Sequence, residues 1–206
     1  AKVAVQCSAD TFVVKISIFA KPENVVARRI NPLPRKTMKK NLLLLLVLSL
    51  LISCTSSKTY YETGELKAKG NVAHHLKNGT WNYYYKNGTL YQTGSFKNDK
   101  EIGLWKIYHE NEMLWQTGAF KEGKQDGEWQ FFHDNGNKEG IGSLSSGKMI
   151  GKWLWYHTNG TLYTERHYED GKLMEVISCF DGNGTALPKG TLKNGNGTLN
   201  SYDITG

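Results

Sequence analysis

The chain has 206 residues and a formal charge of +7, from 26 Lys and Arg against 19 Asp and Glu. The whole excess lies in residues 1–53, which hold nine basic and two acidic residues, whereas residues 54–206 hold seventeen of each. The larger part is therefore neutral and lacks the positive field that binds phosphates, which argues against nucleic acid as a partner.

Residues 1–37 show none of the sequence patterns that are found later in the chain. They begin with alanine and precede Met38, which fits a start residue. We expect this segment to be upstream sequence translated in frame or the product of a truncated gene, and the alternative is a genuine N-terminal extension. We assign it no function.

Residues 38–53 combine a basic start with a short apolar run over 42–52, which is well below the ~20 residues that a spanning helix needs. Ser53 and Cys54 complete a pattern similar to the bacterial lipobox. Residues 38–53 therefore resemble a bacterial lipoprotein signal peptide. The resemblance implies cleavage before Cys54, lipid on its sulfur and amino group, and stable anchoring in the cell envelope by several acyl chains, to the inner or the outer membrane. A buried apolar helix with a coincidental cysteine is the alternative.

Residues 54–59 are predicted to form a short polar tether, and residues 60–206 a repeat array with a period of 24 residues. Tryptophan and glycine columns recur in phase, at Trp81, Trp105, Trp129 and Trp153 and at Gly70, Gly94, Gly118 and Gly142. Asparagine recurs at Asn87, Asn111, Asn135, Asn159 and Asn183. Columns in phase predict an all-β fold, an elongated meander of stacked antiparallel β-hairpins in a single twisted sheet.

The pair Asn87-Gly88 predicts a two-residue type I′ turn, and residues 97–100 a looser one. Counting outward from Asn87-Gly88 fixes the cross-strand partners: Tyr84 with Tyr91, Trp81 with Gly94, and Gly79 with Phe96. The same rule pairs Trp105 with Gly118, Trp129 with Gly142, Gly103 with Phe120, and Gly127 with Leu144. Each indole is expected to cover the bare backbone of the glycine facing it.

Alternation along the strands assigns the two faces of the sheet. Trp81, Tyr83, Tyr85, Leu90 and Phe96 are predicted to lie on the packed face. The other face is polar except for one aromatic site per repeat, with sites about 9–10 Å apart. These aromatic residues are the candidates for partner binding: Tyr84, Tyr91, Tyr108, Trp115, Phe132, Tyr156 and Tyr163. The alternative is that the curling sheet covers them and that they only stabilise the array.

The end of the array departs from the pattern, as expected of caps that protect sheet edges. Arg166 replaces the glycine that should face Trp153, which suggests a cation–π contact between them. Ile177 occupies the next position of the tryptophan column and is expected to face Gly190.

The pattern Gly-x-Trp-x-Tyr-Tyr-x-x-Asn-Gly-x-Leu-x-x-x-Gly-x-Phe over residues 79–96 resembles the variant MORN repeat. It is similar to the arrays of bacterial YwqK-family proteins, which carry an antitoxin label. The resemblance covers about residues 60–206. It implies a sheet of stacked hairpins used for binding, with no catalytic residues to carry over.

The histidine column His109, His133 and His157 invites a metal interpretation. Their backbones should lie about 9–10 Å apart, too far for donors that sit ~2.0–2.1 Å from one zinc ion. We therefore predict no metal and no cofactor. Motifs of nucleophilic catalysis and of phosphate loops are missing from the sequence, so we predict a protein that is not an enzyme. Cys179 is expected to be a small buried hydrophobe.

The first functional hypothesis is a membrane-anchored, non-enzymatic repeat protein that mediates protein–protein binding or scaffolding at the cell envelope. The alternative is an antitoxin or immunity protein that neutralises a cognate toxin. A third hypothesis, a hydrolase acting on envelope glycans, would require a site that the sequence does not reveal. The partner's identity and the oligomeric state stay open.

Overall fold

The computed structural model describes residues 54–206, so residues 1–37, the signal-like segment and the side chain of Cys54 lie outside it. Eleven strands follow one another: β1 (Cys54–Tyr60), β2 (Leu66–Ala73), β3 (Leu76–Tyr84), β4 (Leu90–Lys97), β5 (Lys100–Tyr108), β6 (Leu114–Lys121), β7 (Lys124–Phe132), β8 (Lys138–Ser145), β9 (Lys148–Tyr156), β10 (Leu162–Glu169) and β11 (Lys172–Cys179). The segment predicted as a tether, residues 54–59, therefore forms β1 instead.

All eleven strands lie in one open sheet in chain order, and the pairs from β2 to β11 are antiparallel. Residues 54–206 contain no helix, which confirms the predicted all-β meander of stacked hairpins. Within this same range there is accordingly no helix with the length and apolar character to cross a bilayer.

The turn after β3 is not the predicted two-residue type I′ turn. The amide of Tyr85 donates to the carbonyl of Thr89 at 2.9 Å, and the amide of Gly88 donates to the carbonyl of Tyr85 at 3.0 Å. The loop therefore has three residues, and it ends in Gly88 with a φ of 88°. A left-handed glycine closes this class of hairpin loop. The side-chain oxygen of Asn87 accepts a bond from the Thr89 amide at 2.9 Å, which explains the asparagine column.

The type I′ turn occurs at the opposite end of the strands, where a looser turn was expected. Lys97 pairs with Lys100, and the two residues between them, Asn98 and Asp99, have φ values of 52° and 64°. Positive φ at both central residues is the mark of a type I′ turn. Equivalent pairs with positive φ are Glu122-Gly123, Ser146-Gly147 and Asp170-Gly171.

A β-bulge follows each three-residue turn. Tyr84 pairs with Leu90 and Tyr83 pairs with Gln92, which leaves Tyr91 as the extra residue. The predicted pair of Tyr84 and Tyr91 is therefore wrong. A slip of one residue reverses the face to which a side chain points, so Leu90 and Tyr91 exchange their predicted faces. The ring of Tyr91 accordingly lies against Tyr85, with 5.0 Å between the ring centroids.

Beyond the bulge the register is the predicted one, because the extra bulge residue offsets the extra turn residue. The observed pairs are Trp81–Gly94, Gly79–Phe96, Trp105–Gly118, Gly103–Phe120, Trp129–Gly142 and Gly127–Leu144. The predicted hairpin register around the tryptophan column is thus confirmed.

Each tryptophan of the column covers a glycine of the preceding hairpin, and not the residue that it faces in its own hairpin. A Cβ atom added to Gly94 would lie 2.1 Å from the ring of Trp105, and one added to Gly70 would lie 2.3 Å from the ring of Trp81. The prediction that Trp81 covers Gly94 is therefore wrong, although the two residues pair. The contact joins successive repeats instead of closing one hairpin.

The tryptophan column forms the centre of the core, and each of its four members is at most 3% exposed. Phenylalanine rings fill the gaps edge-on: centroids lie 5.2 Å apart for Phe96 and Trp105, and 5.4 Å apart for Phe120 and Trp129. Phe120 packs against both halves of the core and makes it continuous. A single sheet buries its tryptophans here because neighbouring repeats cover one another.

Residues 180–206 lie along the last strand. The amide of Gly195 donates to the carbonyl of Met174, and the amide of Leu187 donates to the carbonyl of Cys179, both in β11 and both at 2.9 Å. These bonds occupy part of an edge that would otherwise be open to pairing with another chain. Cys179 at the end of β11 is 2% exposed, as expected of a small buried hydrophobe.

Two predictions at this end are wrong. The guanidinium of Arg166 lies over the ring of Tyr163, 5.8 Å from its centroid, and not over Trp153. A register shift in β11 pairs Arg166 with Val176, so Val176 is buried and Ile177 is 39% exposed. The position next to Arg166 thus holds a small side chain where the other repeats hold tryptophan.

Candidate binding groove

One side chain in each repeat forms a hydrogen bond to the next repeat. The hydroxyl of Tyr85 donates to the carbonyl of Tyr108 at 2.7 Å, and Nε2 of His133 lies 3.1 Å from the carbonyl oxygen of Tyr156. We call the residues that form these bonds the ladder column: Tyr61, Tyr85, His109, His133 and His157. Each of these side chains links its own turn to the following hairpin by a hydrogen bond.

The ladder column explains the recurring histidines. A carbonyl oxygen only accepts hydrogen bonds, so Nε2 of His109, His133 and His157 carries the proton and is not free to bind a metal. Tyr85 fills the same position because its hydroxyl reaches the equivalent carbonyl. Among residues 54–206, no three His, Cys, Asp or Glu side chains are grouped as metal ligands. That the whole protein binds no metal stays a prediction.

Replacing His133 by phenylalanine is expected to lower the free energy of unfolding by about 1–2 kcal/mol, because the carbonyl of Tyr156 loses its donor. His133→Tyr is expected to keep most of the stability, since Tyr85 makes the same bond at 2.7 Å. Urea denaturation of the full chain measures both variants. Equal losses for the two variants would contradict the role of the hydrogen bond.

The residues that bulge after each turn lie beside the ladder column, and we call them the bulge column: Tyr91, Trp115, Glu139 and Tyr163. Trp115 packs against His109 with 5.5 Å between ring centroids, and Tyr163 packs against His157 at 5.0 Å. The ladder column thus supports the aromatic rings of the bulge column from one side.

Two open concavities lie along these columns, with volumes of about 500 and 330 Å³. His133 and Glu139 line both, so the two concavities adjoin along successive hairpins, and together we call them the turn groove. Tyr85, His109 and Trp115 line its first part, and Trp155, Tyr163 and Arg166 line its second part. Half of the twelve residues that line the turn groove are therefore phenylalanine, tryptophan or tyrosine.

The first part of the turn groove is acidic. Glu110, Asp134 and Glu139 line it, and among the described residues no lysine or arginine does. Arg166 is the basic residue of the second part. Burial raises the pKa of Tyr85, and the neighbouring Tyr91 and Glu110 add to the rise. Tyr85 therefore stays protonated, and keeps donating its ladder bond, to a higher pH than an exposed tyrosine would.

The structure divides the seven predicted partner residues between two faces. Tyr91, Trp115 and Tyr163 lie on the side of the turn groove, whereas Tyr84 and Tyr108 lie on the opposite face. Phe132 and Tyr156 border the groove, and their carbonyls accept ladder bonds. The predicted single stripe on the polar face is wrong, because the bulge turns one residue of each pair over.

Glu139, Tyr85 and His133 were not among the predicted binding residues, although they line the groove. The sequence carries a signal for Glu139, since it interrupts an aromatic column at the repeat spacing. Tyr85 and His133 belong to a recognisable column, but only the ladder bonds show what that column does.

The fold and the groove define a class of protein: a repeat protein of 24-residue β-hairpins with an open groove along one row of turns. Four segments of the chain match the family model of the MORN repeat variant, at residues 56–74, 77–98, 125–144 and 149–170. The resemblance to MORN-variant repeats is thus confirmed, and the repeat type indicates a protein involved in binding. Residues 99–124 keep the same pairing of Trp105 with Gly118.

Comparison with curated proteins finds no significant match. Among solved structures, the chain is similar to a chain in the crystal structure of the GtfA/B complex bound to UDP and GlcNAc, with 11% sequence identity and a TM-score of 0.23. The alignment covers 57% of this chain and 24% of that chain, so the similarity spans about a quarter of the other protein.

Proposed function

We propose that this protein is a non-enzymatic scaffold, anchored by lipid to the bacterial cell envelope, that holds a protein partner in the turn groove. The observation that carries the proposal is the pair of adjoining concavities along successive hairpins, which share His133 and Glu139 as lining residues. Repeat arrays commonly bind partners along such extended surfaces.

The aromatic rings of the groove support this role. Trp115 and Tyr163 are half-buried, and neither belongs to the buried core. Tryptophan and tyrosine are typical anchors of protein interfaces, especially in a depression that excludes water. Their side chains are therefore partly exposed in the groove, where a partner could contact them.

The lipid anchor rests on the signal-like residues 38–53 and on Cys54. Because β1 begins at Cys54, a lipid at this residue would hold the array directly at the membrane surface. Mass spectrometry of the N-terminal peptide from native membranes tests this part of the proposal. An acylated peptide beginning at Cys54 is the expected result, and an unmodified peptide that begins upstream would contradict it.

Partner capture tests the groove itself. After crosslinking in native membranes, Trp115→Ser is expected to remove a specifically captured protein, while Tyr108→Ser on the opposite face is expected to retain it. Both variants should fold, because both side chains are half-buried and lie outside the core. Loss of capture with Tyr108→Ser alone would place the interface on the other face.

An antitoxin or immunity function is a narrower form of the same proposal, in which the partner is a toxin. It is motivated by the similarity of residues 79–96 to YwqK-family arrays. A neighbouring gene that is toxic only when this gene is deleted would support it. Without such a gene, the general scaffold is the better description.

A further inference from the structure

The spacing of the bulge column matches one peptide conformation. Successive members are separated by two strands, which is about 9.4–9.8 Å at ordinary strand spacing. A polyproline II helix rises ~3.1 Å per residue with three residues per turn, so its side chains return to the same side about every 9.3 Å. The two periods agree to within a few tenths of an ångström.

A β-strand ligand would not fit this row in the same way. Its side chains alternate, so residues three apart point to opposite sides, and residues two apart are only about 6.6–6.8 Å apart. A polyproline II segment instead places residues i, i+3 and i+6 on one side. Those three residues would meet Trp115, Glu139 and Tyr163 in turn.

The acidic residues beside Glu139 in the first concavity favour a basic central residue, and Arg166 lines only the second concavity. Glu139 stands between two aromatic members of the bulge column, and Glu110 and Asp134 line the same concavity. A lysine or arginine at i+3 would pair with Glu139. Apolar rings at i and i+6 would pack on Trp115 and Tyr163, as prolines do in aromatic-lined grooves.

Taking the proposed function as its basis, we propose that the turn groove binds a proline-rich, basic polyproline II segment of the partner, with the pattern Pro-x-x-Arg-x-x-Pro. This pattern is the same in both chain directions, so the match does not depend on the orientation of the peptide. The segment would lie along the row of turns and cross the hairpins.

Calorimetric titration of the full-length protein with a capped peptide, Ala-Pro-Ala-Pro-Arg-Pro-Ala-Pro-Ala, tests the proposal. We expect saturable binding, and about tenfold weaker binding or worse for Glu139→Lys, because a central attraction becomes a repulsion. Glu128→Lys is the matched control. It makes the same change of charge at an exposed position outside the groove, and less than a twofold effect is expected.

A second peptide separates the pattern from general charge attraction. It has the same composition, but its arginine is moved by one position, which removes the three-residue spacing. The proposal predicts at least fivefold weaker binding for it. Equal binding of the two peptides, equal effects of Glu139→Lys and Glu128→Lys, or no binding at all would overturn the proposal.

The experiments distinguish a wrong ligand class from a wrong proposed function. If the peptide does not bind but Trp115→Ser still removes the partner captured from native membranes, the ligand class is wrong and the scaffold function stands. If Trp115→Ser leaves both peptide binding and partner capture unchanged, the groove is not the interface and both proposals fall.

Discussion

Trp129→Ala is expected to lower the free energy of unfolding by about 3–5 kcal/mol, the range typical of removing a large aromatic side chain from a core. The side chain of Trp129 is fully buried, with 0% exposure. It packs edge-on against Phe120 at 5.4 Å, and its Nε1 donates to the carbonyl of Ala119 at 3.1 Å. The substitution therefore leaves a cavity and also removes the donor of a hydrogen bond.

Trp115→Ala provides a matched control, since it makes the same chemical change in the bulge column. Trp115 is half-buried, packs against the ring of His109 and lies outside the buried core. We expect a loss of about 1 kcal/mol or less, because little core surface is removed. Urea denaturation of both variants measures the difference. Similar losses for Trp115→Ala and Trp129→Ala would contradict the separation between the core and the groove.

Gly142→Ala is expected to cost about 2–3 kcal/mol through overpacking. The new Cβ would lie 2.2 Å from Cδ2 and 2.4 Å from Cε2 of Trp153. Trp153 is fully buried and stacks on Trp155 with 5.4 Å between centroids, so its ring has no free space into which to move. The φ of Gly142 is not in the left-handed region, and the cost is therefore steric and not a matter of backbone strain.

A double-mutant cycle identifies the cause of that cost. In a Trp153→Val background, Gly142→Ala is expected to cost less than about 0.5 kcal/mol, because the ring that collides with the new methyl group is gone. A related pair already occurs in the chain, since Arg166 in the glycine column carries a side chain and faces the smaller Val176 on the next strand. An unchanged cost in the Trp153→Val background would rule out the indole as the cause.

The sequence predicts the architecture because the repeat columns report directly on strand register. Trp81 and Gly94 pair as predicted, and the eleven strands follow in chain order. What the sequence could not decide is which of two neighbouring glycines an indole covers. Trp81, Trp105 and Trp129 each lie between two glycines in the sheet, and the direction of the ring depends on its rotamer.

The turn types could not be predicted for a different reason. Asn87-Gly88 suits a two-residue type I′ turn, but a three-residue loop closed by a left-handed glycine uses the same two residues. The choice of the longer loop forces a bulge at Tyr91, because the register at Trp81 and Gly94 is held by core packing. The extra residue of the turn and the extra residue of the bulge thus compensate for each other, and the register differs from the prediction only near the turn.

The candidate site was only partly predictable because it depends on that bulge. Alternation placed Tyr91, Trp115 and Tyr163 on the polar face, and a slip of one residue moves them to the other side. The residue types were recognised as binding candidates, but their surroundings were not. The roles of Glu139 and of the ladder column follow only from the structure, in which neighbouring turns lie side by side.

The central claim is that the partner binds in the turn groove, and site-specific photo-crosslinking in native membranes tests it most directly. A photoreactive phenylalanine derivative is placed at position 115 in the groove, or at position 104, where Leu104 is 62% exposed and outside the groove. We predict one specific protein crosslink from position 115 and none from position 104. A specific crosslink from position 104 alone would contradict the account.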